Sequence, residues 1–114
     1  NYTRLLTPLN DRVVLPQVAT WATHVYWMYT VFIKGIKADE RDAVIQYLDH
    51  HGIESRPVFY PVNSMPPYLN LPGKVPISEG LAASGINLPT HELLTEEDQE
   101  WVAEILGDAI RKCC

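Results

Sequence analysis

The chain has 114 residues, 46% of them hydrophobic and 20% charged, with a formal net charge of −5. That is the size and balance of one globular domain with a modest core. The negative balance argues against a broad nucleic-acid footprint, which needs clustered Lys and Arg against phosphates. No apolar run approaches the roughly 20 residues that span a bilayer, and the N-terminus lacks a basic-then-apolar signal layout, so a cytoplasmic setting is expected.

The first residues, NYTRLLTPLN, lack an initiator methionine and already carry an apolar patch at Leu5, Leu6 and Leu9. With RVVLP and the alanine-bearing stretch after it, residues 1–23 read as a helix remnant and connecting linker, and the chain reads as a fragment. Residues 24–34, HVYWMYTVFIK, are rich in aromatic and β-branched side chains and predict the best strand. Both of its faces are largely apolar, which predicts a central strand covered on two sides. KADERDAVIQYLDHHG predicts a helix capped by Asp39, with Val44, Tyr47, Leu48 and His51 on one face and a stop at Gly52. A second strand, Ile53–Phe59, follows, completing a strand–helix–strand unit.

Residues 61–75 form a loop studded with Pro61, Pro66, Pro67 and Pro72. A short helix opens at Pro76 and closes at Gly85, following the usual placement of proline and glycine at helix ends. INLP predicts an edge strand, because Pro89 would keep it out of a sheet interior. The last helix is the clearest: Thr95 and Asp98 form a capping box, and Val102, Ile105, Leu106, Ala109 and Ile110 form its buried stripe. The fold class is α+β, a small sheet with helices packed on it.

Catalytic signatures are missing: no Gly-rich phosphate loop, no nucleophile elbow and no Cys or His pairs at metal spacing. Cys113 and Cys114 are adjacent at the end of the chain and cannot close a loop. His50 and His51 suit a helix C-terminus, and the acidic clusters ADERD and TEEDQE suit helix N-termini. The stretch ESRPVFYPVNSMPPY is different. Arg56 sits between a strand and Pro57, so stiff neighbours fix a guanidinium that can bind a carboxylate or phosphate through two hydrogen bonds. Phe59, Tyr60 and Tyr68 add flat surfaces, and the prolines lower the entropy lost on binding. Two readings stay open on these residues alone. Either the loop is one wall of a binding site, or Arg56 pairs with a surface acid while the aromatics pad the core.

Taken together, HVYWMYTVFI, RDAVIQYLDHHGIESRPVFYPVNSMPPY and INLPTHELLTEEDQEWV resemble, in order and spacing, the C-terminal domain of DegT/DnrJ-type sugar aminotransferases. Within that family the proline-rich block looks closest to the perosamine synthase type, which acts on a GDP-linked 4-keto-6-deoxy sugar. The resemblance implies a largely antiparallel small domain of the aspartate aminotransferase (type I pyridoxal phosphate) fold over residues 24–114. It also implies a large cofactor-binding domain outside this chain.

By that resemblance the whole protein would use pyridoxal phosphate to move an amino group from glutamate to a nucleotide-linked keto sugar, as a homodimer. The Schiff-base lysine would lie in the large domain; none of Lys34, Lys37, Lys74 and Lys112 matches the family's lysine motif. This chain alone would then be inactive. Arg56, Phe59, Tyr60, Asn63, Met65 and Tyr68 would line the sugar-nucleotide side. Asn63 stands where a common form of the family has histidine, which removes any titratable role there. His24 matches a recurrent family histidine, and a core or hinge role is equally open to it. Two alternatives share these residues: a dehydratase of the same family, and a free-standing module binding an anionic small molecule.

Overall fold

The computed structural model describes residues Asn1–Cys114. Four α-helices and four strands follow in the order α1 (Tyr2–Leu6), β1 (Val13–Val14), β2 (Tyr29–Ile33), α2 (Ala38–His50), β3 (Arg56–Pro57), α3 (Pro76–Ser84), β4 (Gly85–Leu88) and α4 (Glu96–Cys113). The sheet order is β1-β2-β4-β3 and every ladder is antiparallel. The expected α+β class with an antiparallel sheet therefore holds. Because β4 lies between β2 and β3, those two strands run parallel, and α2 is the crossover between them.

Residues opposite one another in an antiparallel ladder share a face. The pairs Val13↔Ile33, Val31↔Ile86 and Tyr29↔Leu88 put six apolar side chains on one side, all buried. Val44 and Leu48 of α2, and Val102, Ile105, Leu106, Ala109 and Ile110 of α4, complete that core with Tyr2 and Leu6 of α1. The α4 stripe is the one its 3.6-residue period predicts. Its cap also holds, with the Asp98 N–H donating to Thr95 Oγ1 at 3.1 Å and the Thr95 N–H donating back to the Asp98 carboxylate at 2.9 Å.

Several expectations need correction. The RVVLP stretch supplies the edge strand β1, and Tyr2, Leu6, Val13 and Leu15 all belong to the core. The strand expected over 24–34 pairs only from Tyr29 onward. It is central, but its second face, with Thr30 and Phe32, is half-buried rather than covered. The cap of α2 is Lys37, not Asp39: the Glu40 carboxylate accepts the Lys37 N–H at 2.8 Å. Gly52 does end that helix, at φ +75° in the left-handed region that disfavours other residues.

The strand expected over Ile53–Phe59 shrinks to Arg56–Pro57 at the sheet edge. Pro57 has no N–H to give a ladder, so an edge position suits it. INLP is not an edge: β4 is interior, because it ends at Leu88 and Pro89 costs it no ladder bond. Gly85 is the first residue of that strand rather than a left-handed cap. Its role is close approach, since a Cβ there would lie 2.6 Å from Val58 Cγ1 and 2.9 Å from Phe32 Cε1. Helix α3 buries none of its residues, and a bond from buried Arg41 holds its end: Nη1 donates to Ala82 O at 2.6 Å.

Candidate functional site

After β3 the backbone leaves the sheet and folds into two single-turn 3₁₀ segments, Val62–Ser64 and Pro66–Tyr68. Proline at 61, 66 and 67 presets φ, and three short backbone bonds close the turns: Ser64 N to Pro61 O, Met65 N to Val62 O and Tyr68 N to Met65 O. The side chains this scaffold holds are not core. Phe59 is 74% and Tyr60 63% exposed, and Met65 and Tyr68 are also exposed. An apolar, aromatic patch on a stiffened loop is the signature of a surface that meets a partner or ligand. The padding alternative therefore fails for the aromatics.

For Arg56 the surface-acid alternative is realised. Residues 54 and 56 alternate onto one side of the strand, and Glu54 Oε1 accepts from both Nε (3.2 Å) and Nη2 (2.6 Å) of Arg56. Hydrogen bonding to Glu54, with its charge, holds the guanidinium pKa above its ordinary value. Arg56 pairs across the sheet with Asn87, whose side-chain oxygen accepts from Thr30 Oγ1 at 2.6 Å. A polar row thus crosses the half-open face and ends on the exposed guanidinium.

Arg56 also rims a groove of about 540 Å³ between β3 and the first turns of α4. Ile53, Leu88 and Val102 supply apolar lining, with His91, Ser55 and Trp101 beside them. Ser55 Oγ is buried there without a hydrogen-bond partner. None of Phe59, Tyr60, Asn63, Met65 or Tyr68 lines this groove. The residues expected on one wall therefore divide into an aromatic loop and a guanidinium next to it with a groove of its own. The Trp101 and His91 contribution was not anticipated. Its signal is Trp101, a large apolar side chain at the margin of the buried stripe of α4, half exposed while its Nε1 donates to His51 O at 3.4 Å.

Asn63 ties the loop to α3, its amide donating to Glu79 Oε1 at 3.3 Å, while its own Oδ1 is buried without a partner. Glu79 sits in the first turn of α3, where a carboxylate is favoured. His24 makes its contacts elsewhere. Its Nδ1 accepts the Tyr26 N–H at 2.7 Å and its ring stacks on Tyr26 with centroids 4.1 Å apart. Tyr26 has φ +50°, the one non-glycine residue in the left-handed region, and its ring stacks in turn on Tyr29 at 5.9 Å. His24 is half-buried and braces a turn in a sparsely populated backbone conformation.

No lysine lines the groove at Arg56. Lys34 Nζ donates to Asn10 O, and Lys112 Nζ donates to the Tyr47 hydroxyl, both on the surface. Lys37 caps α2 and Lys74 is exposed in the loop. These residues do not fit a Schiff-base site for pyridoxal phosphate by themselves. No helix is long and apolar enough to cross a membrane.

The model of the DegT/DnrJ/EryC1/StrS aminotransferase family matches residues 1–107. The chain belongs to that family. Among its relatives, a GDP-perosamine synthase of Caulobacter vibrioides is 44% identical over 110 residues, covering 96% of this chain and 30% of the relative. A GDP-perosamine synthase of Escherichia coli O157:H7 is 39% identical over 100 residues, 88% of this chain and 27% of the relative. The family member described here thus spans about 30% of the length of the curated relatives it matches. Its fold recurs in the Streptococcus pneumoniae protein Spr1654, solved in apo, PLP and PMP forms. For the PMP form the TM-score is 0.87 at 22% identity, over 99% of this chain and 29% of that one.

Proposed function

We propose that this chain is the C-terminal small domain of a pyridoxal-phosphate-dependent aminotransferase acting on a nucleotide-linked 4-keto-6-deoxy sugar with glutamate as amino donor. The observation that carries the reading is the exposed, proline-stiffened aromatic loop beside Arg56, in a family member 44% identical to a GDP-perosamine synthase. The cofactor would supply the electron sink for amino transfer. The lysine that holds it would come from sequence outside this chain, since the four lysines here face solvent or cap other elements.

In this reading Phe59, Tyr60, Met65 and Tyr68 give flat or apolar contact to the sugar-nucleotide. Asn63 fixes the loop to α3 and offers amide hydrogen bonding without a titratable group. Arg56 takes an acidic group of the substrate, and His24 sets the turn that leads into β2. Trp21, Val25 and Trp27, all strongly exposed just before β2, supply apolar surface for the large domain or a second subunit to cover.

The test separates the two half-reactions of the full-length enzyme. Arg56→Ala should slow turnover of the sugar-nucleotide at least tenfold while leaving the glutamate half-reaction, followed by the cofactor absorption band, within about twofold. Equal loss in both would make Arg56 structural. A bound cofactor band that ignores glutamate would move the protein to the dehydratase branch of the family.

A further inference from the structure

Glu54 is the one acid in contact with Arg56, and the form of the contact is specific. A single oxygen bridges Nε and Nη2, the edge of the guanidinium on which an external carboxylate or phosphate oxygen also sits best. We propose that Glu54 is a built-in competitor for the anion site of Arg56, occupying the Nε–Nη2 edge until the acidic group of a ligand displaces it. The inference rests on the reading of Arg56 as a ligand-facing group.

Three features support it. Spacing i, i+2 on an extended backbone places both side chains on one side, so the pair forms without help from tertiary packing. Both side chains are open to water, 77% exposed for Arg56 and 75% for Glu54, and exposed ion pairs are weak and readily exchanged. No other acid holds Arg56: the remaining carboxylate of the groove, Asp98, is engaged with the N–H and hydroxyl of Thr95. Release of Glu54 therefore frees the guanidinium fork with nothing else to neutralise it.

The consequence is weaker anion binding. A ligand anion must replace a carboxylate tethered next to Arg56, so every anion binds a few-fold more weakly than it would to a free guanidinium, and a ligand with further contacts recovers the loss. Glu54 in this sense sets the affinity of the site, acting through competition rather than through contact with substrate.

The experiment uses this chain with inorganic pyrophosphate as the probe, read at low ionic strength from the backbone amide cross-peaks of residues 53–56 in a ¹⁵N spectrum, which every variant retains. Glu54→Gln should lower the pyrophosphate dissociation constant about two- to fivefold, and the gain should shrink toward unity at 0.5 M salt as screening removes the pair. Arg56→Gln should abolish the binding. Glu54→Gln binding no tighter than the native chain, with Arg56→Gln still weak, overturns the competitor role alone. Equal binding in Arg56→Gln and the native chain, or no binding in Glu54→Gln, removes Arg56 as an anion site altogether. Both substitutions are on exposed side chains, and an unchanged dispersion of the remaining amide peaks verifies the fold.

Discussion

Gly85→Ala tests the junction where the sheet meets the aromatic loop. The backbone at Gly85 has φ −88° and ψ 137°, which alanine adopts freely. On chain entropy alone the substitution should therefore stabilise by about 0.4–1 kcal/mol. The added Cβ, however, would stand 2.6 Å from Val58 Cγ1, 2.9 Å from Val58 Cγ2 and 2.9 Å from Phe32 Cε1. Both Val58 methyls face the position, so turning χ1 still leaves one of them in the way, and valine is stiff there. Overpacking of this kind costs about 1–3 kcal/mol, which outweighs the entropic gain. The expected net loss is about 1–2 kcal/mol, a drop of roughly 0.5–1 M in the urea midpoint at unchanged slope. Val58→Ala in the same chain should recover most of that loss, a coupling that a double-mutant cycle isolates. A Gly85→Ala midpoint at or above that of the native chain would refute the close approach, and with it the account of why glycine opens β4.

Two further perturbations probe the helices. Thr95→Ala should cost about 1 kcal/mol by removing the oxygen that accepts from the Asp98 N–H. Asp98 itself titrates below the usual carboxylate range because the Thr95 hydroxyl and then the Thr95 N–H bind its ionised form. Its contribution is therefore present above the unfolded value of 3.8 and lost as pH falls through the lower folded value. The urea midpoint should decline over that acid window in the native chain and decline less in Asp98→Asn. An identical acid limb in both would remove the cap as its source. Arg41→Met should leave global stability nearly unchanged, yet hydrogen exchange in residues 80–84 should speed up about tenfold, since the bond to Ala82 O is worth about that much. Unchanged protection of α3 would mean that its packing, not Arg41, holds it.

What the sequence by itself determined are the features written in local chemistry. The α4 stripe and its Thr95–Asp98 cap, the stop at Gly52 and the 3₁₀ turns that Pro61, Pro66 and Pro67 preset all depend on residues within one or two turns of each other. The stiff aromatic loop was legible for the same reason, and its exposure shows that it is not core of this domain. Tertiary structure decided everything that depends on who pairs with whom. Val13–Val14 becomes a strand because Phe32 and Ile33 lie beside it, not through any strength of its own. INLP becomes the interior β4 because the ladder stops at Leu88, one residue short of the proline that argued for an edge. Gly85, which local rules assign to a helix end, is fixed instead by Val58 and Phe32 arriving from distant parts of the chain. The site divides on the same principle. Local sequence made Arg56 stiff and charged, but only the paired sheet set it on the Asn87 row beside α4, with a groove separate from the loop it had been grouped with.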